Sequence, residues 1–359
     1  MFVFKYLLWP FAWFYNLGTR LRNYLYDIGQ KKSFEFGTVV ISIGNLNVGG
    51  SGKTPMVEYL IRLLAERYQL ASLSRGYGRK THGIRISSEA DNAQTIGDEP
   101  YQLLRKFDGL IKVVVGEERA LAIPTILHQL PEVQVILMDD AFQHRTVKPQ
   151  FSILVTDYEK PFYKDFLLPY GRLREARKGA CRADVIVVTK ADRISKIEME
   201  IMISDIQHIV GEKPIFFSGL HYHEPLPIHH QHTMDKKVVL VSGIAKNAHF
   251  EKEVSKLYKV ARHFCFEDHH PYAVLDIQRI HQVANELQAD SILTTEKDMV
   301  KLIAPQLLPL LQSKHWYYLP VRSVFLKNGM RFDNMILHMV EDHIQKLSSV
   351  KIPDTLNTH

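Results

Sequence analysis

Cysteine is scarce in this sequence: the 359 residues include only Cys181 and Cys265. Two cysteines cannot form a disulfide framework, and these two do not stand in a CxxC spacing, so a disulfide-stabilised secreted fold is excluded. We expect both to be reduced thiols in a cytosolic compartment. The sequence also has no internal repeat and no low-complexity segment.

Motifs that bind nucleic acids are missing as well. Neither an RNP-type motif nor zinc-finger spacing occurs, so we expect no nucleic-acid partner. The net charge of +6 is compatible with an anionic lipid or a phosphorylated substrate. A hydrophobic share of 46% and a charged share of 23% are typical of a globular chain, and the length suggests two domains of ordinary size.

An aromatic-rich hydrophobic run opens the chain. Residues 2–17, FVFKYLLWPFAWFYNL, are nearly all apolar but include Lys5 and Pro10. The run is slightly shorter than the about 20 apolar residues that a spanning helix needs, and it lacks the basic segment and cleavage site of a signal peptide. Tryptophan and tyrosine favour the lipid–water interface, so we predict that residues 1–30 form an uncleaved membrane anchor, shallow or barely spanning. The alternative is a hydrophobic helix packed on the protein's own core.

A glycine-rich turn between a strand and a helix follows, in the sequence ISIGNLNVGGSGKTPM (41–56). Such a turn aims several backbone N–H groups at one point, and a lysine and a threonine follow where a phosphate loop needs a cation and a magnesium-binding hydroxyl. The residues expected to bind the nucleotide are Asn47, Val48, Gly49, Gly50, Ser51, Gly52, Lys53 and Thr54. Asn47 stands where the usual G-x-x-x-x-G-K-[ST] pattern has its first glycine. The alternative is a merely structural turn.

Strand and helix patterns alternate from residue 33 to about residue 214. With the phosphate loop, this alternation predicts an α/β fold of the P-loop NTPase type, with a mostly parallel sheet and helices on both faces. We predict a nucleotide-binding domain over residues 31–215 and a connection over 216–235. A smaller α/β domain over 236–347 would close the cleft, and a tail would cover 348–359.

Two acidic pairs are candidates for metal binding and proton transfer. Asp139 and Asp140 follow an apolar strand, as a Walker-B carboxylate does, and are expected to serve a magnesium ion. A solvated acidic pair is the alternative. Asp98 and Glu99 stand at a helix start, where capping alone would explain them. Beside a phosphate loop they would instead supply a base for an attacking hydroxyl and a second metal ligand.

Arginines on two segments are candidates for binding an anionic group. A basic loop contains Arg172, Arg174 and the lone acid Glu175, and the earlier RGYGR segment contains Arg75 and Arg79. Guanidinium groups grip phosphate through two hydrogen bonds, so these arginines are expected to bind an anionic substrate head group. A solvated basic loop is the alternative.

Four further segments are ambiguous from their residues alone. DHH (268–270) either delivers an imidazole to the cleft or is a solvated loop. TKAD (189–192) resembles the element with which P-loop proteins hold a base. TTEKD (294–298) either faces the cleft or caps the next helix. The histidines between His221 and His232 lack an i, i+4 pair and a cysteine partner, so zinc is not expected.

Together these segments resemble the tetraacyldisaccharide 4′-kinases, the lipid A 4′-kinases of Gram-negative bacteria. The resemblance runs in order along nearly the whole chain, and it is carried by GNLNVGGSGKTP (44–55), SRGYGR (74–79), GDEP (97–100), MDDAFQH (138–144), LLPYGRLREA (167–176), VVTKAD (187–192), FEDHHPY (266–272) and TTEKDMVK (294–301). Asn47 in the phosphate loop and the aromatic N-terminus both fit this family.

The resemblance implies a two-lobed kinase at the cytoplasmic face of the inner membrane, anchored by its N-terminal segment. It would use ATP and Mg²⁺ to phosphorylate the 4′-hydroxyl of a tetraacylated glucosamine disaccharide 1-phosphate, giving lipid IVA, without an obligate protein partner. By position, Asp98 would be the base, paired with His269, and Lys53 would bind phosphate. The residues implied to serve the metal are Thr54, Glu99, Asp139, Asp140 and Glu175. The residues implied to bind the substrate are Arg75, Arg79, Arg172 and Arg174.

A hypothesis of a different class is a membrane-associated nucleotide switch that acts on a protein partner. GDEP and DHH have no clear role in such a switch, which favours the kinase. A third possibility is a membrane scaffold with a degenerate site. The intact Lys53, Thr54 and acidic pair argue against it.

Overall fold

The computed structural model describes residues 2–229, 233–244 and 247–350. The strands are β1 (Val39–Gly44), β2 (Leu70–Ser74), β3 (Arg85–Ile86), β4 (Ile111–Val115), β5 (Val135–Asp139), β6 (Phe151–Asp157), β7 (Val185–Thr189), β8 (Ile215–Tyr222), β9 (Leu226–Pro227), β10 (Lys237–Ser242), β11 (Lys259–Cys265), β12 (Ser291–Thr295), β13 (His315–Leu319) and β14 (Val321–Phe325). The α-helices are α1 (Phe2–Asp27), α2 (Lys53–Leu64), α3 (Ala93–Ile96), α4 (Asp98–Lys106), α5 (Arg119–Gln129), α6 (Lys196–Val210), α7 (Asn247–Val254), α8 (Val274–Glu286), α9 (Glu296–Leu302), α10 (Leu308–Leu311) and α11 (Gly329–Val350).

A nine-stranded sheet forms the larger domain, in the order β14-β8-β7-β6-β1-β5-β2-β4-β3. Neighbouring strands are parallel through the centre, and the outer pairs β14–β8 and β3–β4 are antiparallel. The predicted mostly parallel sheet is therefore confirmed. Because β1 lies between β5 and β6, the segments that follow these three strands meet at one edge of the sheet.

Helices cover both faces of this sheet, as predicted. Val39, Ile41 and Ile43 of β1 pack on one face in a core that also contains residues of α2. Val40 points to the opposite face and packs in a core with Ile123 of α5. A parallel strand that is buried on both faces reads as a continuous apolar run. The burial of β1 and α2 fixes the two ends of the glycine-rich turn between them.

The C-terminal segment returns to the larger domain, which corrects the predicted boundaries. β14 pairs with β8, and Phe332 of α11 is fully buried in the same core as β1. The predicted connection over 216–235 is wrong because β8 extends into it, and the predicted smaller domain over 236–347 is wrong at its end because β14 and α11 leave it. The C-terminal segment packs on the larger domain through an aromatic cluster with edge-to-face contacts. This cluster consists of Tyr59, Phe216, Phe325 and Phe332.

The smaller domain is built on a five-stranded sheet in the order β11-β10-β12-β13-β9. The first four strands are parallel, and β9 is antiparallel to β13. Trp316 is 1% exposed in one of its cores, which includes Ile277 and Ile280 of α8. The chain thus leaves the larger domain after β8, builds this domain, and returns at β14.

Helix α1 presents polar groups to the larger domain and aromatic groups to solvent. Tyr15 donates a hydrogen bond to the carbonyl of Arg174 at 2.8 Å. Its exposed aromatic side chains include Trp9, Phe11, Trp13 and Phe14, which are 61%, 64%, 52% and 65% exposed. These rings are not packed on the protein's own core. In the part of the chain that the structure describes, no helix has both the length and the apolar character to cross a membrane.

Phe332→Ala is expected to destabilise the larger domain by about 3–5 kcal/mol, because it removes a fully buried ring from the core beneath β1. Met330→Ala is the matched control, since Met330 lies on the same helix but is 79% exposed, and its effect should stay within about 0.5 kcal/mol. Urea unfolding followed by circular dichroism measures both. Equal effects would contradict the packing of α11 on this core.

Candidate active site

The glycine-rich turn joins β1 to α2 in the middle of the larger sheet. Helix α2 begins at Lys53. Gly52 has a φ of 84°, a left-handed conformation that glycine adopts without strain. A Cβ on Gly44 would lie 2.7 Å from the backbone nitrogen of Phe142. The segment after β5 therefore packs directly against the start of the turn.

The TKAD segment braces this turn from a neighbouring strand end. Thr189 Oγ1 donates a hydrogen bond to the carbonyl of Ser51 at 2.7 Å, and Lys190 Nζ donates one to the carbonyl of Gly50. Asp192 accepts a backbone hydrogen bond from β8 at 2.8 Å. These contacts within the protein differ from the predicted role of the segment in holding a nucleotide base.

Asn45 links the turn to the charged groups around it, and the sequence analysis did not identify it. Its buried amide donates to the carbonyl of Asn47 at 2.6 Å and to Ser51 Oγ at 2.7 Å. Its Oδ1 accepts from Arg174 at 3.2 Å and from Lys53 at 3.4 Å. No local pattern reveals this role, because the arginine lies 129 positions away in the sequence.

The two acids at the end of β5, Asp139 and Asp140, occupy opposite electrostatic environments. Burial raises the pKa of Asp139 to about 7, repulsion from Glu99 adds to the rise, and Lys53 opposes it. Asp140 lies 3.6 Å from Lys53 and 3.0 Å from Arg174. Burial alone would raise the pKa of Asp140, but the two cations outweigh it and hold that pKa below its ordinary value. The pKa of Asp139 thus lies near neutral pH, while Asp140 stays ionised there.

Helix α4 carries the second acidic pair, Asp98 and Glu99, in its first turn. A Cβ on the preceding Gly97 would lie 2.8 Å from the carbonyl of Tyr77, so the RGYGR turn packs against the helix start. His269 of the smaller domain places its Nδ1 3.3 Å from Asp98 Oδ2. The structure therefore brings together a base candidate and an imidazole that are 171 positions apart in the sequence.

The candidate anion-binding arginines lie in different surroundings. Arg75 is exposed. Arg79 has a side chain only 3% exposed and forms an ion pair with Glu117. Arg172 pairs with Asp165 at 2.9 Å. Arg75 is thus the one whose exposure suits an incoming anion, whereas Arg79 is held within its own loop.

Glu175, expected to serve the metal, is engaged by protein groups. Its side chain is 4% exposed, and one oxygen lies 2.7 Å from Arg182. It also accepts hydrogen bonds from Asn23 of α1 at 2.8 Å and from Gln143 at 3.3 Å. This placement favours a bracing role between α1 and the basic loop, in contrast to the predicted metal ligand.

A buried cation beside the acids was also missed from the sequence. Arg119 is 1% exposed at the start of α5. Burial lowers its pKa to about 10, while Asp139 and Asp140 oppose that fall. The pKa of His144 falls to about 4, through burial first and then the charge of Arg119. The sequence did hold a signal for this arginine: the GEERA segment (116–120) directly follows β4, and residues that follow parallel strands share one edge of the sheet.

A buried ion network at the C-terminal end of α4 joins the two domains. Lys106 Nζ lies 2.7 Å from Glu58 and 2.6 Å from Glu296 of the smaller domain. Burial raises the pKa of Glu296, and repulsion from Glu58 adds to the rise. Thr295 caps α9 by accepting a hydrogen bond from the N–H of Asp298 at 3.1 Å. The TTEKD segment therefore both caps its helix and faces the larger domain.

The donors at this edge of the sheet suit magnesium, which prefers oxygen ligands and usually combines one or two carboxylates with substrate phosphates. Asp139 offers a buried carboxylate whose pKa of about 7 leaves it ready to lose its proton to a cation. Within residues 2–229, 233–244 and 247–350, no three His, Cys, Asp or Glu side chains form a cluster that could hold a metal ion. A site completed by nucleotide oxygens fits both observations. Of the histidine-rich stretch, His230 and His232 lie outside the described residues.

Known proteins similar to this chain share one activity in their names. The profile of the family described as "Tetraacyldisaccharide-1-P 4'-kinase" matches residues 4–341. The tetraacyldisaccharide 4′-kinase of Flavobacterium johnsoniae is 40% identical over 94% of this chain and 98% of its own length. That of Parabacteroides distasonis is 39% identical over 95% of this chain and 96% of its own. The crystal structure of LpxK from Aquifex aeolicus in complex with ATP superposes with a TM-score of 0.74 at 29% identity, covering 94% of this chain and 99% of that one.

Asp139→Asn is expected to change how stability depends on pH without Mg²⁺ and ATP. An acid whose pKa rises from 3.8 to about 7 on folding loses its stabilising contribution between those values, because the unfolded chain ionises first. The melting temperature of the variant minus that of the wild type should therefore rise from about pH 5 to pH 7. Asp91→Asn is the control and should give a flat difference there, since burial alone would raise the pKa of Asp91 but hydrogen bonds from Thr95 and Arg85 outweigh it and hold that pKa below its ordinary value. A flat difference for Asp139→Asn in thermal melts would contradict the raised pKa.

Proposed function

Because the chain belongs to the tetraacyldisaccharide-1-P 4′-kinase family, it is an ATP-dependent kinase of lipid A biosynthesis, and we propose that Asp98 is the base of its phosphate transfer. The acceptor is the 4′-hydroxyl of a tetraacylated disaccharide 1-phosphate. The observation that carries the assignment of the base is the 3.3 Å contact between Asp98 and His269, which closes the cleft between the domains. The phosphate loop and the acids after β5 lie at the same edge of the sheet.

Asp98 takes the proton of the acceptor hydroxyl as the hydroxyl oxygen attacks the γ-phosphorus of ATP, whose bond to the β–γ bridging oxygen breaks so that ADP leaves. The carboxylate stands in the first turn of α4. His269 engages Oδ2, which leaves Oδ1 to meet the hydroxyl. The imidazole thus orients the base.

Lys53 and the N–H groups of the glycine-rich turn bind the phosphates of ATP. Arg174 reaches Asp140 and Asn45 beside them and adds positive charge. Thr54, Asp139 and Glu99 are the residues that would hold Mg²⁺, which when bound neutralises charge on the phosphate oxygens. Asp140 is the counter-ion that keeps Lys53 and Arg174 in place.

The protein works at the cytoplasmic face of the inner membrane, with the exposed aromatic side of α1 against lipid. Rings of this type settle at the lipid–water interface. Helix α1 also contacts the basic loop through Tyr15 and Asn23, so the lipid surface and the transfer site are adjacent. A substrate with four acyl chains remains in the bilayer, and the exposed Arg75 is placed to meet its anionic head group.

The activity is tested by incubating the purified protein with γ-labelled ATP and Mg²⁺ in detergent, with and without the 1-phosphorylated lipid A disaccharide precursor. Label should appear on the lipid, and little free phosphate should form when the lipid is left out. Equal phosphate release in both reactions without labelled lipid would contradict the kinase and favour a nucleotide switch.

Asp98→Asn should lower kcat by roughly 10²–10⁴-fold, the usual contribution of a general base. The KM for ATP should change little, because the residue meets the hydroxyl and not the nucleotide. Asp108→Asn, at an exposed acid just after α4, should leave kcat unchanged. An effect of Asp98→Asn on KM alone would make that residue a binding group and overturn its role as the base.

Replacing Trp9, Phe11, Trp13 and Phe14 together by serine should weaken binding to phosphatidylglycerol vesicles by at least about 10-fold, since each ring that enters the interface contributes about 1.5–3 kcal/mol when fully buried. The matched control is Ile197→Ser with Ile201→Ser, at two exposed apolar residues of α6. Vesicle flotation measures both. Unchanged flotation of the aromatic variant would show that another surface makes the contact.

A further inference from the structure

The first turn of α9 places Lys297 beside the loop that delivers His269 to the larger domain. Lys297 Nζ lies 2.8 Å from Asp268 Oδ1 and 3.1 Å from His269 Nε2. His269 Nδ1 in turn lies 3.3 Å from Asp98 Oδ2. Four side chains therefore form a continuous hydrogen-bonded row, which runs from the smaller domain to the first residue of α4.

The direction of each hydrogen bond in this row follows from the chemistry of its members. A lysine ammonium group has three donors and no acceptor, so His269 Nε2 must accept from Lys297. The single proton of a neutral imidazole then sits on Nδ1. From there it donates to Asp98 Oδ2, since a carboxylate only accepts. The lysine thus selects the tautomer that faces Asp98.

We propose that Lys297 is a positioning residue of the phosphate transfer, which holds His269 in its Nδ1–H tautomer so that the imidazole donates to Asp98. This inference rests on the proposed function, in which Asp98 is the base. Without the lysine, the Nε2–H tautomer becomes accessible to His269. Its Nδ1 lone pair would then face the carboxylate, and the hydrogen bond that orients Asp98 would be lost.

The loop is held on both sides of His269, so what remains to be fixed is the position of the proton on the His269 ring. Asp298, with no exposed surface, accepts from the N–H of Gly243 at 2.8 Å and from Thr295 Oγ1 at 2.6 Å. This anchors α9 under the loop. His270 stacks on Phe266 with ring centroids 4.3 Å apart, which fixes the loop on its far side.

The same helix start is also held from the larger domain. Glu296, the neighbour of Lys297, lies 2.6 Å from Lys106 at the other end of α4. Helix α4 is therefore contacted by the smaller domain at both of its ends, through Asp98–His269 and through Lys106–Glu296. The His269 side chain remains 38% exposed, so its tautomer is set by its hydrogen-bond partners Lys297 and Asp98 and not by burial.

Kinetics of Lys297→Met test the proposal. We expect kcat to fall about 10-fold to 100-fold, part of the roughly 10²–10⁴-fold that a general base supplies, with the KM for ATP within about twofold. Lys297→Arg keeps a cationic donor and should recover kcat to within about fivefold of the wild type. Lys252→Met, at an exposed lysine of α7, is the matched control and should leave kcat unchanged. An unchanged kcat in Lys297→Met would overturn the proposal.

A double-mutant cycle separates this role from a general weakening of the domain. If Lys297 acts through the imidazole, Lys297→Met should add less than about twofold to the loss that His269→Gln causes by itself. A merely structural lysine would instead give independent losses that multiply. Multiplying losses would overturn the proposal even if the single variant is slow.

A readout that does not depend on activity is the ¹⁵N–¹H spectrum of the histidine rings, with the His269 signals identified by their loss in His269→Gln. The wild type should show a neutral ring protonated at Nδ1, and Lys297→Met should show the Nε2–H form or a mixture. The same tautomer in both would overturn the proposal. If Asp98 were not the base, Asp98→Asn would keep its kcat while the tautomer change in Lys297→Met persisted, so the two failures are distinguishable.

Discussion

This site depends on one constraint: a carboxyl group stays buried at the end of a central strand. Asp139 has almost no exposed surface, and its pKa is raised to about 7 by burial and by Glu99. The nearby cations are divided unequally between Asp139 and Asp140, because Lys53 and Arg174 both pair directly with Asp140. The glycine-rich turn, the acids and the basic loop therefore form one connected unit of opposite charges.

The second domain completes this unit through a small number of charged contacts. Lys106 bridges Glu58 of α2 and Glu296 of α9, so the helix that follows the phosphate loop is tied to the smaller domain. At the other end of α4, His269 reaches Asp98. Both contacts converge on α4, and the position of Asp98, the proposed base, is thereby coupled to the relative placement of the domains. Removal of Lys106 would leave Glu296 buried without its cation and opposite Glu58, which would keep only its ion pair with Arg62.

The N-terminal helix contributes to the site as well as to the surface. Asn23 hydrogen-bonds to Glu175, and Arg22 donates to the carbonyl of Gln143 at 2.7 Å. Gln143 also contacts Arg174 and Asn45, and it donates a hydrogen bond to Glu175. The aromatic side of the same helix points away, toward solvent. Helix α1 is therefore joined by direct hydrogen bonds to the basic loop and to the segment that contains Gln143.

The sequence alone determined the elements whose signals are local. β1, the glycine-rich turn and α2 follow from an apolar run, closely spaced glycines and an amphipathic helix, and the acids after β5 from their place behind a buried strand. The tertiary structure decided what depends on distant partners. It returned α11 to the larger domain through an aromatic cluster, engaged Glu175 and Arg79 in ion pairs, and set Asn45, Arg119 and Lys297 beside groups far away in the chain. Local sequence patterns predict strands, turns and helices. They do not predict which group lies beside a charged side chain, because distant segments meet at one edge of the sheet only after the strands have assembled in their order.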